Sequence, residues 1–451
     1  MPNAWKSAIA PLYLFACLVL GGSAQGIWEN VALQLAGIAI IAWSAAAETR
    51  PLPKPARQLL LLFIIGLAVA ALQLVPLPPS LWAHGPRAPI ADGYHILGFP
   101  TPWLPLSVTP YEALPTLFGL IPPLALFCAI VRLKAHRPSW LATALLAGSG
   151  AGILVGAMQV ASGGSNSRWY PYAVTNLGRA VGFFANPNHM ANLLAASVPF
   201  VAALAATNKD HDIRRRSALI LLLAGFTLVL IVGLVLNGSL AGYSLMIPVA
   251  AASAMILLPK KSSLRWIAIF LALLFVLAAV IALASSGLGS SKISRDASTS
   301  LQSREAITET TLKATGDYMP FGSGLGSFVQ VYRLYESPAS VTEEYVIHAH
   351  DDYAELALEL GIPGILLMLL FLAWWARAIL AVWRKGEGGP FVQAASIASA
   401  VILVHSLVDF PLRTAAIGGC FAMCLALLTD RQKPPPREFS QLRPTRHLVF
   451  T

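Results

Sequence analysis

The sequence predicts an all-α polytopic membrane protein with about twelve transmembrane helices. Three observations predict it. The 451 residues are 56% hydrophobic and 12% charged, against about 25% charged in soluble domains. Apolar runs of about 20 residues, the length that crosses a bilayer as a helix, recur along the chain. Basic residues also alternate between successive loops. One membrane domain over 1–430 is therefore expected, followed by a tail at 431–451.

The apolar runs place spans at about 8–24, 31–47, 58–75, 112–131, 139–161, 189–207, 217–236, 239–258, 266–285, 361–380, 391–408 and 412–429. The seventh and eighth spans divide at Asn237-Gly238-Ser239, and the last two at Asp409-Phe410-Pro411, where a few turn-forming residues must reverse the chain. The first run has no convincing small-residue cleavage site and reads as a span rather than a removable signal.

Of the 31 Lys and Arg residues, 22 lie in one alternate set of loops and termini and 9 in the other. Basic loops stay in the cytoplasm, so both termini are expected there. The bias recurs loop by loop and so supports the span count as well. The net charge of +10 lies largely in these short loops, which argues against nucleic-acid binding.

Three outer loops are long. Residues 76–111 are Pro-rich and expected to be extended or to lie on the membrane interface. Residues 162–188 carry the first polar motif. Residues 286–360, between spans nine and ten, form the largest soluble piece, with a helix expected over about 301–314 and a Gly-rich turn region over 316–326. The Pro-rich tail is expected to be disordered. Cys17, Cys128, Cys420 and Cys424 sit in apolar runs with no accompanying His or carboxylate, and read as small buried apolar residues.

Gly322-Ser323-Gly324-Leu325-Gly326 lacks the Gly-Lys-Ser/Thr ending of a phosphate loop and follows no strand, so it reads as a turn that lets backbone pack closely. Arg179 stands in a nearly neutral segment and has two readings. It snorkels to headgroups, or it clamps an anion through its planar fork of donors. Asn186 and Asn188 flank Pro187 at the start of the sixth span, where free helix N–H groups also favour an anion. A cation, two amides and a helix end suit a diphosphate.

His348 and His350, with Asp351 and Asp352, invite a metal reading. Their spacing of two shares a face only in an extended strand, and no clear third ligand follows, so no metal is expected. A His oriented by a carboxylate can instead take a proton from a hydroxyl, and Asp351 is the neighbour expected to orient His350. Asp352, Glu355 and Glu359 then form one helical stripe, expected to line a cavity at the membrane surface. His405, Asp409 and Arg413, spaced by four, are expected to be an ion-pair cluster bracing the last hairpin.

With these residues in view, the chain resembles the O-antigen ligase and O-antigen polymerase superfamily, inner-membrane glycosyltransferases of the GT-C class. The resemblance runs from Leu141 to Leu428. It is strongest at Arg179 to Asn188, Pro320 to Phe328, and His350 to Gly364, with His405 to Leu412 also similar. It implies a glycan donor on undecaprenyl diphosphate and a hydroxyl acceptor at the periplasmic face. The acceptor is the lipopolysaccharide core in ligases and a second lipid-linked repeat in polymerases, including exopolysaccharide polymerases. It also implies inversion at the anomeric carbon without metal or cofactor. Carried onto this sequence, Arg179 would bind the diphosphate, and His350 would act as base or orient the acceptor.

Two positions depart from the family pattern. Ser239 is followed by Leu240 where many members have Arg, so a second diphosphate cation would have to come from Arg168, Arg304 or Arg413. Asp351 stands where many have Asn. The reading from another class, a flippase of lipid-linked sugars, requires ionisable residues deep in several spans. Spans one to nine are nearly free of them.

Overall fold

The computed structural model describes residues 4–23, 28–47, 51–163, 168–208, 212–258, 292–338, 341 and 345–429. The expected ninth span at 266–285, the start of the loop from 286 and the tail at 431–451 lie outside the described residues.

The chain begins with α1 (Ala4–Leu20), α2 (Trp28–Ala46) and α3 (Lys54–Leu72). A short ribbon follows, in which β1 (Pro76–Leu77) pairs antiparallel with β2 (Leu104–Pro105). Between the strands lie α4 (Pro79–Trp82) and α5 (Ala88–Ile96). The Pro-rich segment is thus folded rather than extended. Arg87 holds it, stacking over Trp82 at 4.9 Å and donating to the carbonyls of Pro105 and Leu106 at 2.6 and 3.2 Å.

The fourth span is broken into α6 (Ala113–Gly119) and α7 (Ile121–Val131), with Pro122 and Pro123 in the first turn of α7, where their missing N–H groups cost nothing. The remaining described membrane helices before the large loop are α8 (Pro138–Ala161), α9 (Pro187–Thr207), α10 (Ile213–Asn237) and α11 (Leu240–Leu257). Gly238 ends α10 in the left-handed region at φ +70° and Ser239 caps α11, so the split expected there holds. The loop contains α12 (Lys292–Asp317) and α13 (Phe328–Tyr335). The helix expected over 301–314 is therefore longer at both ends. Then come α14 (Asp352–Arg384), α15 (Pro390–His405) and α16 (Ala415–Thr429).

Among the described residues, eight helical segments are long and apolar enough to cross a membrane, and the shorter apolar α1, α15 and α16 accompany them. In order, these eleven match the expected spans other than the ninth. The main core is built from α1, α7, α8, α9, α15 and α16. Helix α9 is the most enclosed of the eight, with 72% of its apolar window buried. Small residues permit this. A Cβ on Gly242 of α11 would lie 2.6 Å from Cβ of Ala191, so the two backbones meet closely.

The large loop has its own small core of Ile307, Ala314, Phe328, Val331, Tyr332, Ala349 and Leu358. Leu358 belongs to α14, so this core seats the loop on the first turns of that helix. Helix α14 breaks at Gly361, with φ +60° and ψ −147°. Carbonyls freed by the break are taken up by the Gly-rich segment. The N–H groups of Ser323 and Gly324 donate to Leu358 and Glu359, both at 2.9 Å, and that of Ile362 donates to Pro320 at 2.8 Å. A Cβ on Gly322 would lie 2.4 Å from the Glu359 carbonyl oxygen. The segment is a close backbone contact, as its composition predicts. The span expected from 361 starts at this break, and α14 extends nine residues before it.

Candidate functional site

The polar motifs converge on Asp409, which lies between α15 and α16 and is fully buried. Asn188 Nδ2 donates to its carboxylate at 2.6 Å, and Asn186 Nδ2 lies 3.5 Å from both oxygens. The Phe410 N–H donates to it at 2.9 Å. His350 Nδ1 stands 3.4 Å away, His189 Nε2 3.8 Å and Arg304 3.9 Å. Burial alone would raise the Asp409 carboxyl. His350 and the neighbouring His189 and His405 rings outweigh it and hold the group below the usual carboxylate range.

Local sequence explains each placement. Asn186 caps α9 by accepting from the Asn188 N–H at 2.9 Å, and Pro187 follows at the first helical position. This turns both amides toward Asp409. Asn188 Oδ1 accepts from the Ser239 hydroxyl at 2.7 Å, which joins α11 to the site. Asn237 donates to the Ala180 and Pro187 carbonyls at 2.8 and 2.9 Å and fixes the incoming loop. His350 adopts φ +52°, an uncommon conformation for a residue with a side chain. Its ring is 28% exposed.

Phe410 forms a floor under three imidazoles. Its ring lies 4.3 Å from His348, 5.0 Å from His350 and 5.1 Å from His189. Deeper between α9 and α15, Asn192 Nδ2 meets His405 Nδ1 at 2.7 Å. Among the described residues, no three His, Cys, Asp or Glu side chains are arranged to hold a metal ion.

A second cluster adjoins the first. Arg413 pairs with Asp352 at 3.5 Å, Glu355 at 3.3 Å and Glu359 at 3.5 Å. These carboxylates raise the guanidinium further above its ordinary value, against the effect of burial. His348 Nδ1 contacts Glu355 at 2.9 Å. Ser406 donates to Asp352 at 2.8 Å, and the Gly326 N–H donates to Glu359 at 2.9 Å. The acidic stripe exists as expected, but its three residues are buried. It is buried against Arg413, because three carboxylates sharing a helix face need a cation when water is excluded.

Two further expectations are corrected. Asp351 does not orient His350. Its carboxylate caps α14, accepting from the Tyr353 and Ala354 N–H groups at 2.9 and 3.1 Å. Burial raises it against the pull of those donors. The carboxylate facing His350 is Asp409. The second correction concerns the cluster at the last hairpin, which is divided: Asp409 faces the His and Asn motifs, and Arg413 faces α14. Arg413 is thus committed to three carboxylates, whereas Arg304 is 23% exposed beside Asp409. Arg168 and Arg179 are exposed and form no ion pair among the described residues. His189, Asn192, Ser239 and Phe410 escaped the sequence reading of the site. The Asn-x-Asn-His-x-x-Asn polarity at 186–192, at the start of an otherwise apolar run, was the available signal for the first two.

A family model for O-antigen ligase matches residues 225–369. That segment belongs to the O-antigen ligase and polymerase superfamily. No curated protein matches the chain. The matched segment contains Ser239, Arg304, His348, His350 and the acidic stripe, while Arg179, Asn186, Asn188, His405, Asp409 and Arg413 lie outside it. Asp409 therefore joins the ligase-family residues to the rest of the bundle. Members of the superfamily are glycosyltransferase-like enzymes acting on lipid-linked glycans and an acceptor, and the apolar helices agree with a membrane protein of that kind.

Proposed function

We propose that this protein transfers a glycan from undecaprenyl diphosphate to an acceptor hydroxyl at the periplasmic face, as an O-antigen ligase acting on the lipopolysaccharide core. The observation that carries this reading is the pairing of a partly exposed His350 with a buried Asp409, 3.4 Å apart, beside Arg304. Asp409 favours the tautomer with a proton on Nδ1, which leaves Nε2 as the proton acceptor.

In the proposed step, the acceptor oxygen bonds to the anomeric carbon from the face opposite the diphosphate. The bond from that carbon to the diphosphate oxygen breaks, and its electron pair leaves with the diphosphate. The hydroxyl proton passes to Nε2 of His350. The donor already carries its activation, so the protein must neutralise the leaving group, align the acceptor and receive one proton. Arg179 and Arg304 are assigned to the leaving diphosphate, with Arg304 replacing the cation absent at Leu240. Asn186 and Asn188 hold Asp409, and through it His350. No metal or cofactor is assigned a role.

The glycan profile of a deletion strain tests the reading. A ligase loses surface attachment while lipid-linked polymer accumulates. Single repeats attached at the surface would assign the polymerase reaction instead. Loss of surface glycan with lipid-linked glycan trapped on the cytoplasmic side would assign a flippase and overturn the proposal.

A further inference from the structure

Residues 168–182 form a loop whose two feet are held by one side chain. Gln159 on α8 is fully buried. Its Nε2 donates to the Trp169 carbonyl at 3.1 Å and the Gly182 carbonyl at 2.8 Å, and its Oε1 accepts from the Val181 and Gly182 N–H groups, both at 2.9 Å. Every donor and acceptor site of that amide is therefore used. A Cβ on Gly182 would lie 2.8 Å from the Gly152 carbonyl oxygen, so this foot also rests directly on α8.

The loop is closed again higher up. The Tyr170 hydroxyl accepts from the Gly178 N–H at 2.8 Å and donates to the Arg179 carbonyl at 3.0 Å. Gly178 takes φ +83°, a turn that a side chain would strain. The Arg179 N–H donates to the Asn176 carbonyl at 3.3 Å. The backbone of Arg179 is thus fixed on both sides while its side chain stays exposed and pairs with no carboxylate among the described residues. A cation with a fixed base loses only its stem rotamers when it meets an anion.

We infer that Tyr170 is a positioning residue for Arg179, its hydroxyl holding the Gly178-Arg179 turn so that the guanidinium meets the donor's diphosphate. This rests on the assignment of Arg179 to the diphosphate. Tyr170→Phe removes both hydrogen bonds and keeps the ring. The turn lies at the surface, where water can satisfy the freed groups, so folding is spared.

The test is a binding titration of undecaprenyl diphosphate to the full-length protein in detergent, with Tyr170→Phe, Arg179→Ala and the double variant. Tyr170→Phe is expected to weaken binding about three- to tenfold, the scale of one or two surface hydrogen bonds. Arg179→Ala is expected to weaken it more, and the double variant to match Arg179→Ala alone, because a positioning role vanishes with the group positioned. Unchanged binding in Tyr170→Phe beside weakened binding in Arg179→Ala overturns the positioning role alone. Losses that multiply in the double variant also overturn it. Unchanged binding in Arg179→Ala overturns the diphosphate assignment, and the inference with it.

Discussion

His350 and Asp409 lie 59 positions apart in the chain, yet Nδ1 of one stands 3.4 Å from Oδ1 of the other. The carboxylate is fully buried and the imidazole partly exposed, so the pair has a fixed end and a working end. Asp409→Asn keeps the shape and the donors around it but removes the charge that selects the His350 tautomer. Transfer is expected to fall by about 100-fold or more, the scale of losing general acid–base help, with expression retained. Radiolabelled glycan transfer in membrane vesicles measures it. Activity within a few-fold of wild type would remove the pair from the mechanism.

The depressed Asp409 carboxyl also gives a stability signature. A group held below its unfolded value of 3.8 contributes stability that is full above that pH and disappears as the pH falls toward its folded value. The thermal stability gap between wild type and Asp409→Asn is therefore expected to be widest and constant above about pH 5, and to narrow only below about pH 4. A gap that widens on acidification would contradict the assigned direction.

Arg413 is expected to be needed for folding more than for transfer. Arg413→Gln leaves Asp352, Glu355 and Glu359 buried without a cation, a loss of about 3–5 kcal/mol for a broken buried pair. Little folded protein should reach the membrane, as read by fluorescence-detected size exclusion. Arg413→Lys should restore part of the yield. Normal yield with Arg413→Gln would mean that the carboxylates are already protonated or otherwise paired.

These two clusters show what the sequence can and cannot reveal. Period and charge predict the helices, the reversal at Gly238-Ser239, and the stripe of Asp352, Glu355 and Glu359, because these depend on neighbours three or four residues away. Pairing across the bundle has no such local record. Asp351 follows His350 and looks like its partner, but an Asp directly before a helix is drawn to the free N–H groups of the first turn. That left Asp409 to face the ring. The short ribbon at 76–111 was missed for a similar reason, since the Arg87 side chain that holds it bonds to carbonyls near Pro105, which leave no mark in composition.

Orientation is tested by labelling. Single cysteines at Ser337 and Ser440 are treated in intact cells with an impermeant thiol reagent, against a background lacking Cys17, Cys128, Cys420 and Cys424. The 22 to 9 bias in basic residues leads us to expect labelling at 337 and none at 440. The reverse would put the Asp409 site in the cytoplasm and end the lipid-linked donor reading.

The two loop histidines should separate cleanly. His350 meets Asp409 and is partly exposed, whereas His348 contacts Glu355 at 2.9 Å and packs on Phe410 at 4.3 Å. His348 thus belongs to the Arg413 cluster, although it lies only two residues from His350. His350→Ala is expected to abolish transfer while folded protein still forms and binds undecaprenyl diphosphate close to wild type, since the diphosphate is assigned to Arg179 and Arg304. His348→Ala should show the opposite pattern. It removes one partner of a buried carboxylate that Arg413 and the Ala349 N–H still hold, so stability should drop by about 1–3 kcal/mol with measurable transfer remaining. Thermal unfolding and vesicle transfer, run on the same preparations, give both readouts. An active His350→Ala protein beside a stable but inactive His348→Ala protein would move the proton-accepting role to His348, and with it the reacting hydroxyl to the Glu355 side of Phe410.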